Sequence, residues 1–209
     1  VRGEKINTGW HCETGQQCII IQCTRGQIEF SANTSIVMGV QTPVKLLSND
    51  YFAAMVANHA LGQSSLSSRL GLRVRDELGL TYGIYSYFPE AGTFSSPWTV
   101  SVTTNPKNIK KTIDATQEVI ANYVKTGITP AEFKQAKSDL IGSYLVRSTT
   151  NDMLARRYTD AAFYGLGDNY LTDRANRIQR VSIEDANTAI RKYFNPAQLS
   201  VSVAGKLEE

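Results

Sequence analysis

"WTVSVTTNPKNIKKTIDATQEVIANYV", Trp98 to Val124, decides the fold class. Its first part alternates: Trp98, Val100 and Val102 fall on one side of an extended chain, and Thr99, Ser101 and Thr103 on the other. Successive strand side chains point to opposite faces, so the pattern predicts a strand in a sheet packed on one side only. Asn105 and Pro106 then change the period, with the proline at the position a helix favours at its start. The apolar stripe becomes Ile109, Ile113, Thr116, Ile120 and Tyr123, and Gly127 ends it.

Downstream, Thr129, Pro130 and Glu132 form a capping-box start for a helix that buries Phe133, Ala136, Leu140 and Tyr144. Thr149 and Asp152 suggest another start, leading into "NDMLARRYTDAAFYG". Ser182 and Asp185 repeat the capping logic before "IEDANTAIRKYF", and Pro196 bars further helix before a last alternating strand, "LSVSVAG". Upstream, "QCIIIQC", "QIEF" and "SIVMGV" read as strands. "SNDYFAAMVANHALG" is a helix with Phe52, Met55, Val56 and His59 on one face and a stop at Gly62. A second helix carries Leu66, Leu70, Val74 and Leu78 at a spacing of four, with Gly79 as a left-handed stop. Strands, two helices, two strands, several helices and a strand predict an α+β fold, an antiparallel or mixed sheet with helices on one face. No linker or repeat divides residues 1–209, so the expectation is one domain.

Composition excludes more than it selects. The chain has 209 residues, enough for a core without disulfide or metal staples. A net charge of +3, with basic residues dispersed among acids, argues against nucleic acid. The longest apolar run, "CIII" from Cys18, is far too short to span a bilayer. A soluble protein is expected, its compartment open between cytoplasm, periplasm and organelle. The start at Val1 reads as a fragment or processed product, and the closing "LEE" is set aside. Cys12, Cys18 and Cys23 are an odd set without CxxC spacing, and beside His11 they read as packing residues rather than a metal site.

The two histidines, His11 and His59, belong to neither HExxH nor HxxEH, and GxSxG, GxxxxGK and GxGxxG are absent. His59, on an apolar stripe, reads as a hydrogen-bonded core residue. A candidate pair remains. Arg75 lies in the last turn before Gly79, and Tyr82 opens the next strand, so the two side chains can converge. A guanidinium and a phenol could together hold a carbonyl oxygen as charge develops on it. An ordinary structural account is also available: a cation suits a helix C-terminus, and tyrosine suits a strand.

Around this pair the chain resembles the non-catalytic domain of the pitrilysin/insulinase family of zinc metallopeptidases, which includes mitochondrial processing peptidase subunits. The resemblance rests on "ALG", "SSRL" at Ser67 to Leu70, the Arg75-to-Tyr82 step and "LTYGIYS", followed in order by "AGTFSSPWTVSVTTNPKNIKKTID", "GITPAEFKQAKSDLIGSYL" and "YFNPAQLSVSVAG". It implies half of a two-part peptidase, in which a separate or fused HxxEH domain or subunit holds the zinc and this chain holds none. By the same resemblance Arg75 and Tyr82 grip a peptide substrate's carbonyl and stabilise the oxyanion, and the chain alone is inactive. A homo- or heterodimer, without a membrane span, fits that picture. A non-proteolytic structural or assembly subunit of the same fold is the alternative. The family's glycine-rich loop is reduced here to Gly62, Gln63 and Ser64.

Overall fold

In the computed structural model, which describes residues 18–22 (backbone only), 33–46, 48–89, 95–146, 148–167 and 169–205, the stretch from Trp98 forms a central strand. The strands are β1 (Cys18–Gln22), β2 (Thr34–Val40), β3 (Thr81–Tyr87), β4 (Trp98–Thr104) and β5 (Ser200–Gly205). They form one sheet in the order β1-β5-β2-β4-β3, with β1 parallel to β5 and every other neighbour antiparallel. The predicted "QIEF" strand and the side chains of His11, Cys12, Cys18 and Cys23 lie outside the described residues.

Among the described residues, five helices follow conventional α geometry with apolar faces on the core: α1 (Tyr51–Asn58), α2 (Ile109–Thr126), α3 (Pro130–Val146), α5 (Tyr170–Arg180) and α6 (Ile183–Tyr193). A sixth, α4 (Asn151–Phe163), buries only Ala161. The sheet is packed on one side, as the alternation required. Ile36, Met38, Ile84, Trp98, Val100, Val102, Val201 and Val203 are buried on the helical side. Phe194, just past α6, sits at the centre, its ring edge-on to Trp98 with centroids 4.7 Å apart. Edge-to-face geometry suits the ring quadrupoles and adds to the area buried.

The expected caps form at Thr129–Glu132, where Glu132 Oε2 accepts from the Thr129 amide and hydroxyl, and at Ser182–Asp185. The start near Thr149 falls one residue later, at Thr150, whose hydroxyl accepts from the Met153 amide. Helix α5 went unanticipated; it carries no capping box and shows itself only in charge pairs such as Asp173 with Arg177.

The second helix departs most from expectation. It runs over Gly71–Glu77 with π geometry, its turn closed by the Leu78 amide donating to the Arg73 carbonyl. Hydrogen bonds closing over five residues instead of four carry leucines spaced by four around the helix. Leu70 and Val74 are buried, while Leu78 is exposed and Leu66, in the preceding turn, is 66% exposed. The helix begins late because the chain first turns tightly: a Cβ on Gly71 would lie 2.3 Å from the Ser65 carbonyl oxygen.

Two polar nodes fix these parts. Asn58, 2% exposed, donates to the Ser86 carbonyl and accepts from the Ser86 hydroxyl and the Trp98 indole, each at 2.8 Å. One side chain thereby ties α1 to β3 and β4. Arg69 forms a bidentate pair with Glu132 at 2.6 and 2.7 Å, donates to Thr126 Oγ1 and the Gly127 carbonyl, and lies 4.5 Å from the centre of the Tyr123 ring. It clamps the turn before the π helix to the α2–α3 junction.

Replacing Asn58 by alanine leaves a buried indole N–H, a hydroxyl and a carbonyl without partners. At about 1–3 kcal/mol per orphaned group, urea denaturation should register a loss of at least ~3 kcal/mol; a loss within error would show that the node is dispensable. Burial alone would raise the Glu132 carboxyl pKa, but hydrogen bonds from Arg69 and Thr129 outweigh it and hold the group below its ordinary value. Its stabilising contribution is therefore full above the unfolded-state value and lost as pH falls through the folded-state value. Arg69→Met should cost about 2 kcal/mol near neutral pH, where the half-buried pair is intact. The gap from wild type should narrow as acid protonates Glu132, which denaturation curves at neutral and acid pH will test.

Candidate functional site

Gly79 makes the step from Arg75 to Tyr82 possible. Its φ of 60° lies in the left-handed region, and the Leu80 amide reaches back to the Val74 carbonyl at 3.0 Å, closing the end of the π helix. The chain reverses into β3, an edge of the sheet, and brings Arg75 against Tyr82.

The contact is to main chain, not to the phenol. Arg75 Nε donates to the Tyr82 carbonyl at 3.0 Å, and Nη1 donates to Asp76 Oδ1 at 2.7 Å. Nη2 is left without a partner among the described residues. The Tyr82 side chain is 96% exposed and the Arg75 side chain 32%. The two predicted residues thus meet through the main chain, with one guanidinium edge fixed and the phenol free in solvent. Asp76, which holds part of the fork, is a neighbour that sequence reading did not single out.

The Arg75 bond is one of three made to the β3 edge from the segment preceding it. The Ile84 amide donates to Ser65 Oγ at 3.2 Å, and the Ser86 carbonyl accepts from Asn58 Nδ2 at 2.8 Å. Unpaired edge groups are templates for another strand, and side chains here occupy several of them. The reduced glycine loop shares in this packing, since a Cβ on Gly62 would sit 2.3 Å from Ser86 Oγ. Gly62 therefore serves a close approach between the end of α1's π turn and β3.

Beyond β3 the face of the sheet away from the core carries Tyr85, Tyr87, Ser101, Thr103, Ser35 and Val37. Register sets Tyr85 opposite Ser101 and Val37 on the far side of Ser101, while Tyr87 is opposite Thr99. Thr103 is exposed and Ser101 partly so, but Thr99 is only 8% exposed. Of the three polar residues expected to line an open face, Thr99 is therefore enclosed, lying in register between Tyr87 and Gly39.

His59 lies on the π turn His59–Gln63 that extends α1, with Nε2 3.6 Å from Asp139 Oδ2. That separation is too long for the hydrogen bond expected of His59. Burial holds its pKa below the ordinary histidine value against the opposing pull of Asp139. Among the described residues no three His, Cys, Asp or Glu side chains gather as a metal site, so the donor set here does not fit a catalytic zinc. None of the described helices is long and apolar enough to cross a membrane.

Residues 20–140 match the family model described as the peptidase M16 inactive domain. The chain is 28% identical over 144 residues to the uncharacterized zinc protease YmxG of Bacillus subtilis, covering 67% of this chain and 34% of that protein. It is 24% identical over 170 residues to the non-peptidase homolog YmxG of Helicobacter pylori, covering 80% and 38%. The solved peptidase M16 inactive domain from Pseudomonas fluorescens superposes with a TM-score of 0.79 at 26% identity, over 93% of this chain and 44% of that one. The chain thus spans little more than a third of these curated relatives and under half of that solved chain.

Proposed function

The chain belongs to the peptidase M16 inactive domain family, and from that premise we propose that it is the substrate-binding, transition-state-assisting half of a two-part zinc metalloendopeptidase. The hydrolytic metal would be held by an HxxEH-bearing half, fused or separate, and the chain alone would be inactive.

The observation that carries the reading is the division of labour at Arg75 and Tyr82. Arg75 is anchored through Nε and Nη1, yet Nη2 and the whole phenol remain available. When water adds to a peptide carbonyl, negative charge grows on its oxygen. Donors already fixed in direction stabilise that charge without reorganising as it forms. Nη2 of Arg75, on a guanidinium held through its other two nitrogens, is such a donor, and the exposed Tyr82 hydroxyl adds a second from a backbone that Arg75 holds. The open sheet face beside them, with Tyr85, Tyr87 and Val37, offers aromatic and apolar surface to a peptide's side chains.

A second reading is a non-proteolytic structural or assembly subunit, favoured by the description of the Helicobacter relative as a non-peptidase homolog. The two differ in what the Tyr82 phenol is for. A scaffold requires the Tyr82 carbonyl, which Arg75 holds, but has no use for a hydroxyl standing in solvent.

With the HxxEH half and zinc supplied, peptide cleavage should fall on Arg75→Ala and on Tyr82→Phe by the amount typical of a lost oxyanion donor, about 10²–10³ in kcat. Full turnover by both variants sinks the catalytic reading and leaves the structural one. Metal analysis of the purified chain alone should find no stoichiometric zinc, and a bound equivalent would contradict the assignment of the metal to the other half.

A further inference from the structure

Tyr82 should not be able to face solvent. Ile84 and Ser86 are buried on the core side of β3, and counting back by two places Tyr82 on that same side. It escapes because β3 carries one extra residue there. Thr81 pairs with Thr104 and Ile84 with Val102, so three steps on β3 match two on β4. Such a bulge leaves a main-chain group off the ladder and re-aims a side chain.

One hydroxyl spans the bulge. Thr81 Oγ1 accepts from the Gly83 amide at 3.0 Å and lies 2.6 Å from the Thr103 carbonyl and 2.9 Å from the Gly83 carbonyl. With one proton to give, it donates across to β4 at the shorter distance and accepts from Gly83 with a lone pair. It thus spans Tyr82 along β3, from Thr81 to Gly83, and ties that point to β4. The residue before it is fixed too: the Leu80 carbonyl accepts from Thr104 Oγ1 at 2.6 Å, and that hydroxyl accepts from Thr112 Oγ1 of α2 at 3.1 Å. Arg75 takes the Tyr82 carbonyl.

We propose that Thr81 is a positioning residue for Tyr82: its hydroxyl pins the bulge that turns the phenol away from the core, at the residue whose carbonyl Arg75 holds. The inference rests on the catalytic reading of the site above, and deepens it by naming what aims the donor. A donor used only in the transition state affects kcat rather than KM, and a displacement of about 1 Å costs up to ~10²-fold in rate.

The test uses the chain assembled with its HxxEH half and a quenched-fluorescent unstructured peptide, comparing Thr81→Val, Thr81→Ser, Tyr82→Phe and the Thr81→Val/Tyr82→Phe double variant. Thr81→Val should lower kcat about tenfold with KM little changed, equivalent to ~1.4 kcal/mol. Thr81→Ser, which keeps the hydroxyl, should recover most of that loss. In the Tyr82→Phe background Thr81→Val should add almost nothing, because there is no phenol left to aim. A Thr81→Val enzyme with normal kcat beside an impaired Tyr82→Phe enzyme overturns the positioning role and leaves the site intact. An equal loss in both backgrounds overturns it as well, as does a Thr81→Ser enzyme no better than Thr81→Val. Full turnover by Tyr82→Phe removes the site assignment itself, and this inference with it. If the valine variant does not assemble, Thr81→Ala removes the same hydroxyl without added bulk and decides between these outcomes.

Discussion

The bidentate pair between Arg69 and Glu132 is the constraint on which the arrangement of the β3 edge depends. Residues 64–80 leave the end of α1's π turn and must reach β3 through a tight turn and a π helix, neither of which is intrinsically favourable. Glu132 is an independent anchor because its own position is fixed by the capping box at Thr129. Arg69 binds that anchor, the Gly127 carbonyl and the Tyr123 ring together, so one side chain closes the end of α2, the start of α3 and the turn before Gly71. Six residues later on the same segment lies Arg75. Its own bonds to Tyr82 and Asp76 act on a segment that this clamp already ties to the α2–α3 junction.

Local rules made much of the fold legible. The apolar face of Trp98, Val100 and Val102, the proline that opens the short 3₁₀ turn Pro106–Asn108 leading into α2, and the two capping boxes each report a short-range requirement, and each appears where expected. The π helix over Gly71–Glu77 was not legible, because Leu66, Leu70, Val74 and Leu78 satisfy a four-residue spacing that the backbone does not follow. What overrides the spacing is contact: Gly71 closes on Ser65, and Arg69 pulls toward a glutamate 63 residues away. Helix α5 was missed for a related reason, since its polar composition and lack of a box give a weak local signal and its place is set by packing of Tyr170 and Ile178. Nothing local in the helix marks Asn58, because its three partners lie on two strands distant in sequence.

At the site the seven-residue step from Arg75 to Tyr82, with Gly79 between, was enough to place the two residues side by side. The atoms that meet were not legible. An extended count would turn Tyr82 inward, and only the added residue at Thr81–Ile84 reverses it. A glycine inside a strand is the signal that was present, because Gly83 following Thr81 and Tyr82 marks a place where pairing is interrupted.

Main chain and side chain at Tyr82 consequently do separate things. The carbonyl secures the end of the π helix against the sheet edge through Arg75, while the ring, 96% exposed, buries almost nothing and contributes little to stability. Arg75 has no such division, since the guanidinium that could reach a substrate oxygen through Nη2 also seals part of the edge through Nε. The phenol is therefore the cleaner probe of chemistry, because removing its hydroxyl leaves every described hydrogen bond of the edge in place. Loss at Arg75 mixes the missing donor with a loosened edge strand. A catalytic and a scaffolding role for this fold part company at that one oxygen.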